Sequence, residues 1–136
     1  MDDIIEILKK EDYSCVIKNH DEIRTFSQRG VIDLYGLLTN HKTFLKGAYV
    51  ADKIVGKASA ALMIAGDVKS IYTNVISTLA LNLLKGRDIE VTYEKEVPVI
   101  INHDKTDWCP MEKLCYRENS IDNILKLIKD FLTNQN

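Results

Sequence analysis

Hydrophobic positions along this chain follow two periods that alternate in blocks. Asp2 and Asp3 open a short helix with Ile4, Ile7 and Leu8 on its buried stripe. Residues 14–19, "SCVIKN", form a β-branched strand, and residues 23–27, "IRTFS", alternate as its hairpin partner across a turn at Asn19–Glu22. Val31, Leu34 and Leu38 carry helical spacing through 30–40. A strand over 47–56 then hands over to an alanine-rich helix, 57–66, whose small side chains suit close packing. The pattern repeats as a strand over 68–76, a helix over 77–86 capped by Ser77 and stopped by Gly86, and a strand over 88–97. That last strand alternates cleanly enough to be an edge. Residues 98–101, "PVII", extend or re-enter the sheet, and 102–109 are irregular. A helix opens near Pro110, and the helix of residues 120–132 buries Ile121, Ile124, Leu125, Ile128 and Phe131.

Strands that alternate with helices require crossovers, hence parallel pairing with helices on the sheet faces. The expected fold is α/β, a three-layer α/β/α sandwich with a mixed five-stranded sheet, in which the initial hairpin leaves one antiparallel strand at the edge. No linker, repeat or low-complexity tract divides the 136 residues, so a single domain over 1–136 is expected.

Composition narrows the function classes. A net charge of −2 with scattered Lys and Arg gives no footprint for nucleic acid. No apolar run reaches the roughly 18 residues of a membrane span, and the acidic N-terminus is unlike a secretory signal. Three cysteines, an odd number, suit reduced thiols in the cytoplasm better than a disulfide framework.

Candidate chemistry gathers at the C-terminal ends of parallel strands, where helix N-termini present free N–H groups. "ADKIVGKAS" (51–59) offers Asp52, Lys53, Gly56 and Lys57 at such a handover, and "TNVIST" (73–78) offers Ser77. In "TDWCPMEKLC" (106–115), Cys109 precedes Pro110 and stands three before Glu112. That is the layout of a capping box with Glu112 reaching back to a backbone N–H. Such a thiol is a candidate nucleophile, while Cys115 falls on the core side with Met111 and Leu114. The six-residue spacing of Cys109 and Cys115 and the dispersed histidines argue against a metal.

The segments "VADKIVGKASAALMI" (50–64), "ISTLAL" (76–81) and "VIINHDKTDWCPMEKL" (99–114) resemble the family called domain of unknown function 1893. The element order resembles the cytidine-deaminase-like fold. That resemblance would imply zinc held by H-x-E and P-C-x-x-C motifs at the two helix starts. Gly56-Lys57-Ala58-Ser59 and Ile76-Ser77-Thr78-Leu79-Ala80 stand there instead, without a ligand or a proton shuttle. Zinc-dependent deamination is therefore not expected, nor any other cofactor. The leading expectation is a binding protein for a nucleotide or small phosphorylated ligand, using Lys53, Lys57, Ser77 and Asn102 around Gly56. The loop 102–109 would fold back over that cleft. The alternatives are a metal-free enzyme built on Cys109, Asp52 or Glu112, and an interaction protein that self-associates, for example as a homodimer.

Overall fold

The computed structural model describes residues 1–28 and 31–134. The first residue of the helix expected over 30–40, Gly30, lies outside them. The chain runs α1 (Asp2–Lys10), β1 (Cys15–Asn19), β2 (Glu22–Phe26), α2 (Ile32–Asn40), α3 (Lys42–Leu45), β3 (Tyr49–Val55), α4 (Lys57–Ala65), β4 (Ser70–Ser77), α5 (Thr78–Leu84), β5 (Glu90–Val97), α6 (Pro110–Cys115) and α7 (Ile121–Thr133). The short α3 carries no periodicity of its own and was not anticipated. Among the described residues, no helix is long and apolar enough to cross a membrane.

The sheet is mixed and open, in the order β2-β1-β3-β4-β5. β3, β4 and β5 are parallel, and β1 is antiparallel to both of its neighbours. This corrects the expected placement of the hairpin. The antiparallel strand is the interior β1, while β2 at the edge runs in the direction of β3. The physical reason is that Val16 and Ile17 are buried on both faces and demand an interior position, whereas β2 is mostly exposed. At the other edge β5 is largely exposed, as its alternation indicated. "PVII" does not rejoin the sheet as a strand; it contributes only the isolated bridge Ile101↔Trp108.

Two apolar clusters lie on opposite faces of the strands, as alternation requires. Cys15, Ile17 and Val50 join the large core with α2 through α7, while Val16 and Ala51 pack with Ile4 and Leu8 of α1. Helix α4 is the hub of the large core. It touches α2, α5, α6 and α7 as well as β3, and every residue from Lys57 to Met63 is buried. Its alanines serve this crowding: Ala58, Ala60 and Ala61 let four helices approach one axis.

The three parallel strands share a transverse bend. Val50 and Val55 both enter the large core although they stand five positions apart, and so do Ile71 and Ile76. A regular strand would send each pair to opposite faces. The ladders skip one row, passing from Asp52↔Thr73 to Ile54↔Val75 and from Thr73↔Tyr93 to Val75↔Lys95. Side chains hold the bend: the Ile54 N–H donates to Asp52 Oδ1 at 3.4 Å, and Thr73 Oγ1 donates to the Val75 carbonyl at 3.0 Å. The bend leaves Ile54 51% exposed and turns Val55 fully inward, aiming the strand end at the start of α4. Thr73 is fully buried, so Thr73→Val, which keeps the shape and removes the donor, should cost about 1–2 kcal/mol. Urea unfolding should show a lower midpoint at an unchanged slope.

Candidate functional site

Two helix starts were expected to build the site, and one internal carboxylate occupies the first. Glu112 is 2% exposed, and its Oε1 accepts the Lys57 N–H at 2.8 Å while its Oε2 accepts the Ile100 N–H at 3.0 Å. The positive end of α4 is thus neutralised by the chain's own anion. Gly56, the residue before α4, makes room for it: a Cβ there would lie 3.1 Å from Glu112 Oε1 and 3.3 Å from Ile100 Cγ1. The expected capping box is therefore wrong. Glu112 reaches the buried N–H groups of Lys57 and Ile100, which have no other partner among the described residues, and the Cys109 N–H is already taken by the Ile100 carbonyl at 2.8 Å. No side-chain bond caps α6 at Cys109.

Lys57 returns the exchange. Its Nζ donates to the Tyr116 carbonyl at 3.1 Å and to Asn119 Oδ1 at 3.2 Å, which ties α4 to the end of α6. The residue is only 3% exposed, yet both acceptors are neutral, and among the described residues no carboxylate lies within ion-pair distance. Burial lowers its pKa below the usual lysine value, opposed by Cys115, Glu112 and Glu118.

Beside Lys57 opens a cleft of about 360 Å³, walled also by Leu79, Asn82, Leu83, Lys85, Arg87, Tyr116 and Asn119. Three cations and two amides line it, with no carboxylate among the lining residues. Gly86, at φ 77°, makes the left-handed turn that ends α5 and lets Lys85 and Arg87 reach the same wall. The Arg87 Nε–H donates to the Leu83 carbonyl at 3.0 Å, so part of its guanidinium caps α5 while the rest stays available. The Lys-Gly-Arg run was the signal in the sequence, read only as a helix stop.

The other expected site residues fall elsewhere. Lys53 pairs with Asp12 at 3.7 Å, on the α1 side of the sheet. Ser77 is fully buried as the cap of α5, its Oγ accepting the Ala80 N–H at 3.1 Å. Asn102 organises its own loop: its Oδ1 accepts the Thr106 N–H at 3.0 Å and its Nδ2 donates to Thr106 Oγ1. Loop 102–107 bonds to itself and to Lys113, and no hydrogen bond joins it to Lys57 or Ser77 among the described residues. Cys109 is half-buried against the large core and does not line the cleft; Cys115 is fully buried, its pKa raised to about 11 mainly by burial. Among the described residues, no group of three or more His, Cys, Asp or Glu could hold a metal.

Asp52 stands in the sheet bend, in register with Cys15 on one side and Thr73 on the other. Burial lifts its pKa to about 7, against the opposing pull of the Ile54 and Lys53 N–H groups and the Cys15 thiol. The Cys15 thiol is itself pushed well above its usual value by burial and by Asp52 and Asp33.

Two measurements follow from these groups. Glu112→Ala leaves two buried N–H groups without acceptors and should cost about 2–5 kcal/mol; Glu112→Gln, which can accept only one, should cost about half of that. Both are read by denaturant unfolding. For Asp52 the folded state binds its proton more tightly than the unfolded chain, whose value is near 3.8. Its contribution is full below pH 3.8 and is lost as pH rises through about 7, at a slope of up to about 1.4 kcal/mol per pH unit. Asp52→Asn should remove that slope from a stability–pH curve.

Comparison with known proteins gives a consistent picture. The family model described as "Domain of unknown function (DUF1893)" matches residues 3–132. A crystal structure of a DUF1893 family protein from Thermotoga maritima superposes with a TM-score of 0.87 at 26% identity, covering 95% of this chain and 87% of that one. No functionally curated protein matches the sequence.

Proposed function

The chain belongs to the DUF1893 family, and from that premise we propose that it binds a small anionic ligand, of the nucleotide or phosphorylated-metabolite kind, in the cleft beside Lys57. The observation that carries this reading is the buried ammonium of Lys57, bonded among the described residues only to a carbonyl and an amide oxygen. Buried charges are normally paired or ligated, because removal from water costs several kcal/mol per ion. Two of its three N–H donors are used, and the third is left for a group in the cleft. Lys85 and Arg87 add positive charge at the mouth.

The finer architectural reading, a three-layer cytidine-deaminase-like sandwich, belongs to the same proposal. It is supported by α1 packing on one face of the strands and the remaining helices on the other. The enzymatic alternative has less support. Glu112 has both oxygens engaged, Asp52 sits within the sheet, and Cys109 lines no cleft with either.

The test is a thermal-shift series with inorganic phosphate, pyrophosphate and nucleoside monophosphates, against chloride at equal ionic strength. A ligand present at about 100 times its Kd should raise the midpoint by roughly 8 °C. Lys57→Met should still fold, since a long apolar side chain replaces an uncompensated charge, and should abolish the shift. Unchanged midpoints across the series, or an undiminished shift in Lys57→Met, would refute the proposal.

A further inference from the structure

We infer that the cleft is built for the dianion of a phosphate monoester rather than for a monoanionic diester or a carboxylate. The inference rests on the anion-binding reading above and narrows it to one chemical class. The cleft holds three cationic side chains from two segments: Lys57 opens α4, and Lys85 and Arg87 flank the Gly86 turn that ends α5. Lys57 is nine-tenths buried and fixed at both ends, its backbone by Glu112 and its ammonium by the α6–α7 turn. It is therefore a preorganised donor rather than a mobile surface charge. Neither Lys85 nor Arg87 makes an ion pair among the described residues.

A single negative charge would leave two of these three cations uncompensated in the occupied cleft. A phosphate monoester carries about −1.5 to −2 at neutral pH and presents three terminal oxygens. Those oxygens match the free Lys57 donor, the Lys85 ammonium and the free guanidinium N–H groups of Arg87. The Asn82 and Asn119 amides and the apolar Leu79 and Leu83 leave room for an organic group on the phosphate.

Titration discriminates the class, because the second proton of a monoester leaves near pH 6 and a diester has none to lose there. The charged and titratable groups lining the cleft are Lys57 on α4, Lys85 and Arg87 after α5, and Tyr116 at the α6–α7 turn, while Glu112, Cys115 and Glu118 act on Lys57 from α6 and the turn after it. A diester of the same scaffold experiences all of them equally, so it serves as the internal control for any titration of the protein, Asp52 included.

The experiment measures binding of phenyl phosphate, methyl phenyl phosphate and benzoate at pH 5.5 and 7.5, from amide NMR shifts at residues 79–87 and 116–119. Phenyl phosphate is expected to bind about fourfold tighter at pH 7.5 than at pH 5.5, the ratio of its dianion fractions for a second pKa near 6, while methyl phenyl phosphate stays weak and flat. Arg87→Ala and Lys85→Ala, both at exposed positions that leave the fold intact, should each weaken phenyl phosphate several-fold and flatten its pH dependence. Equal, pH-independent binding of monoester and diester would overturn this inference and leave the anion-binding reading standing. Absence of cleft shifts with all three probes would overturn both.

Discussion

The Glu112 carboxylate is the interaction on which the C-terminal half of the molecule depends. It bonds at once to the first residue of α4 and to the segment leaving the sheet, while belonging to the short helix α6. A six-residue helix has no standing of its own, since nucleating a turn fixes several residues for one hydrogen bond. Its place is set by Glu112 at one end and by Lys57 at the other, where the α6 carbonyls end. The two residues exchange charges between helix termini, an anion at the start of α4 and a cation at the end of α6, each satisfying the other element's dipole.

That exchange has an electrostatic asymmetry. Glu112 meets two N–H donors, whereas Lys57 meets two neutral oxygens and keeps one donor unspent. The negative partner is saturated and the positive one is not. The place the sequence marks as an anion site, the start of α4, is thus filled from within, and the ammonium of Lys57 lies beside the cleft by α5.

Much of the fold was legible in the sequence because it rests on local periodicity. The α4 and α5 segments, the edge β5 and the buried face of α7 could all be read from spacing and caps. The interior position of β1 was not legible from hairpin logic, since strand order depends on which faces are covered rather than on neighbours in sequence. The site was legible only in part. Gly56, Lys57 and Glu112 were marked as candidates, but their meeting is a contact across 55 residues that no local pattern encodes. Glu112 in a Cys-Pro-Met-Glu run has the local form of a capping box; a partner with a stronger claim on the carboxylate lay elsewhere in the chain. Lys85 and Arg87 were hidden behind the glycine between them, which reads first as a helix stop.

The exposed edge of β5 carries Glu90, Glu94 and Glu96. If two copies met there as antiparallel strands about a two-fold axis, every central register would set like charges face to face. An axis at Tyr93 opposes Glu90 to Glu96, one at Thr92 opposes Glu90 to Glu94, one at Glu94 opposes that residue to itself, and one at Lys95 opposes Glu94 to Glu96. The unpaired backbone of that edge is therefore shielded from its own kind by repulsion rather than by a covering element. A sheet continued through two copies about a two-fold axis at this border is disfavoured, so charge keeps the open edge of β5 from pairing with itself.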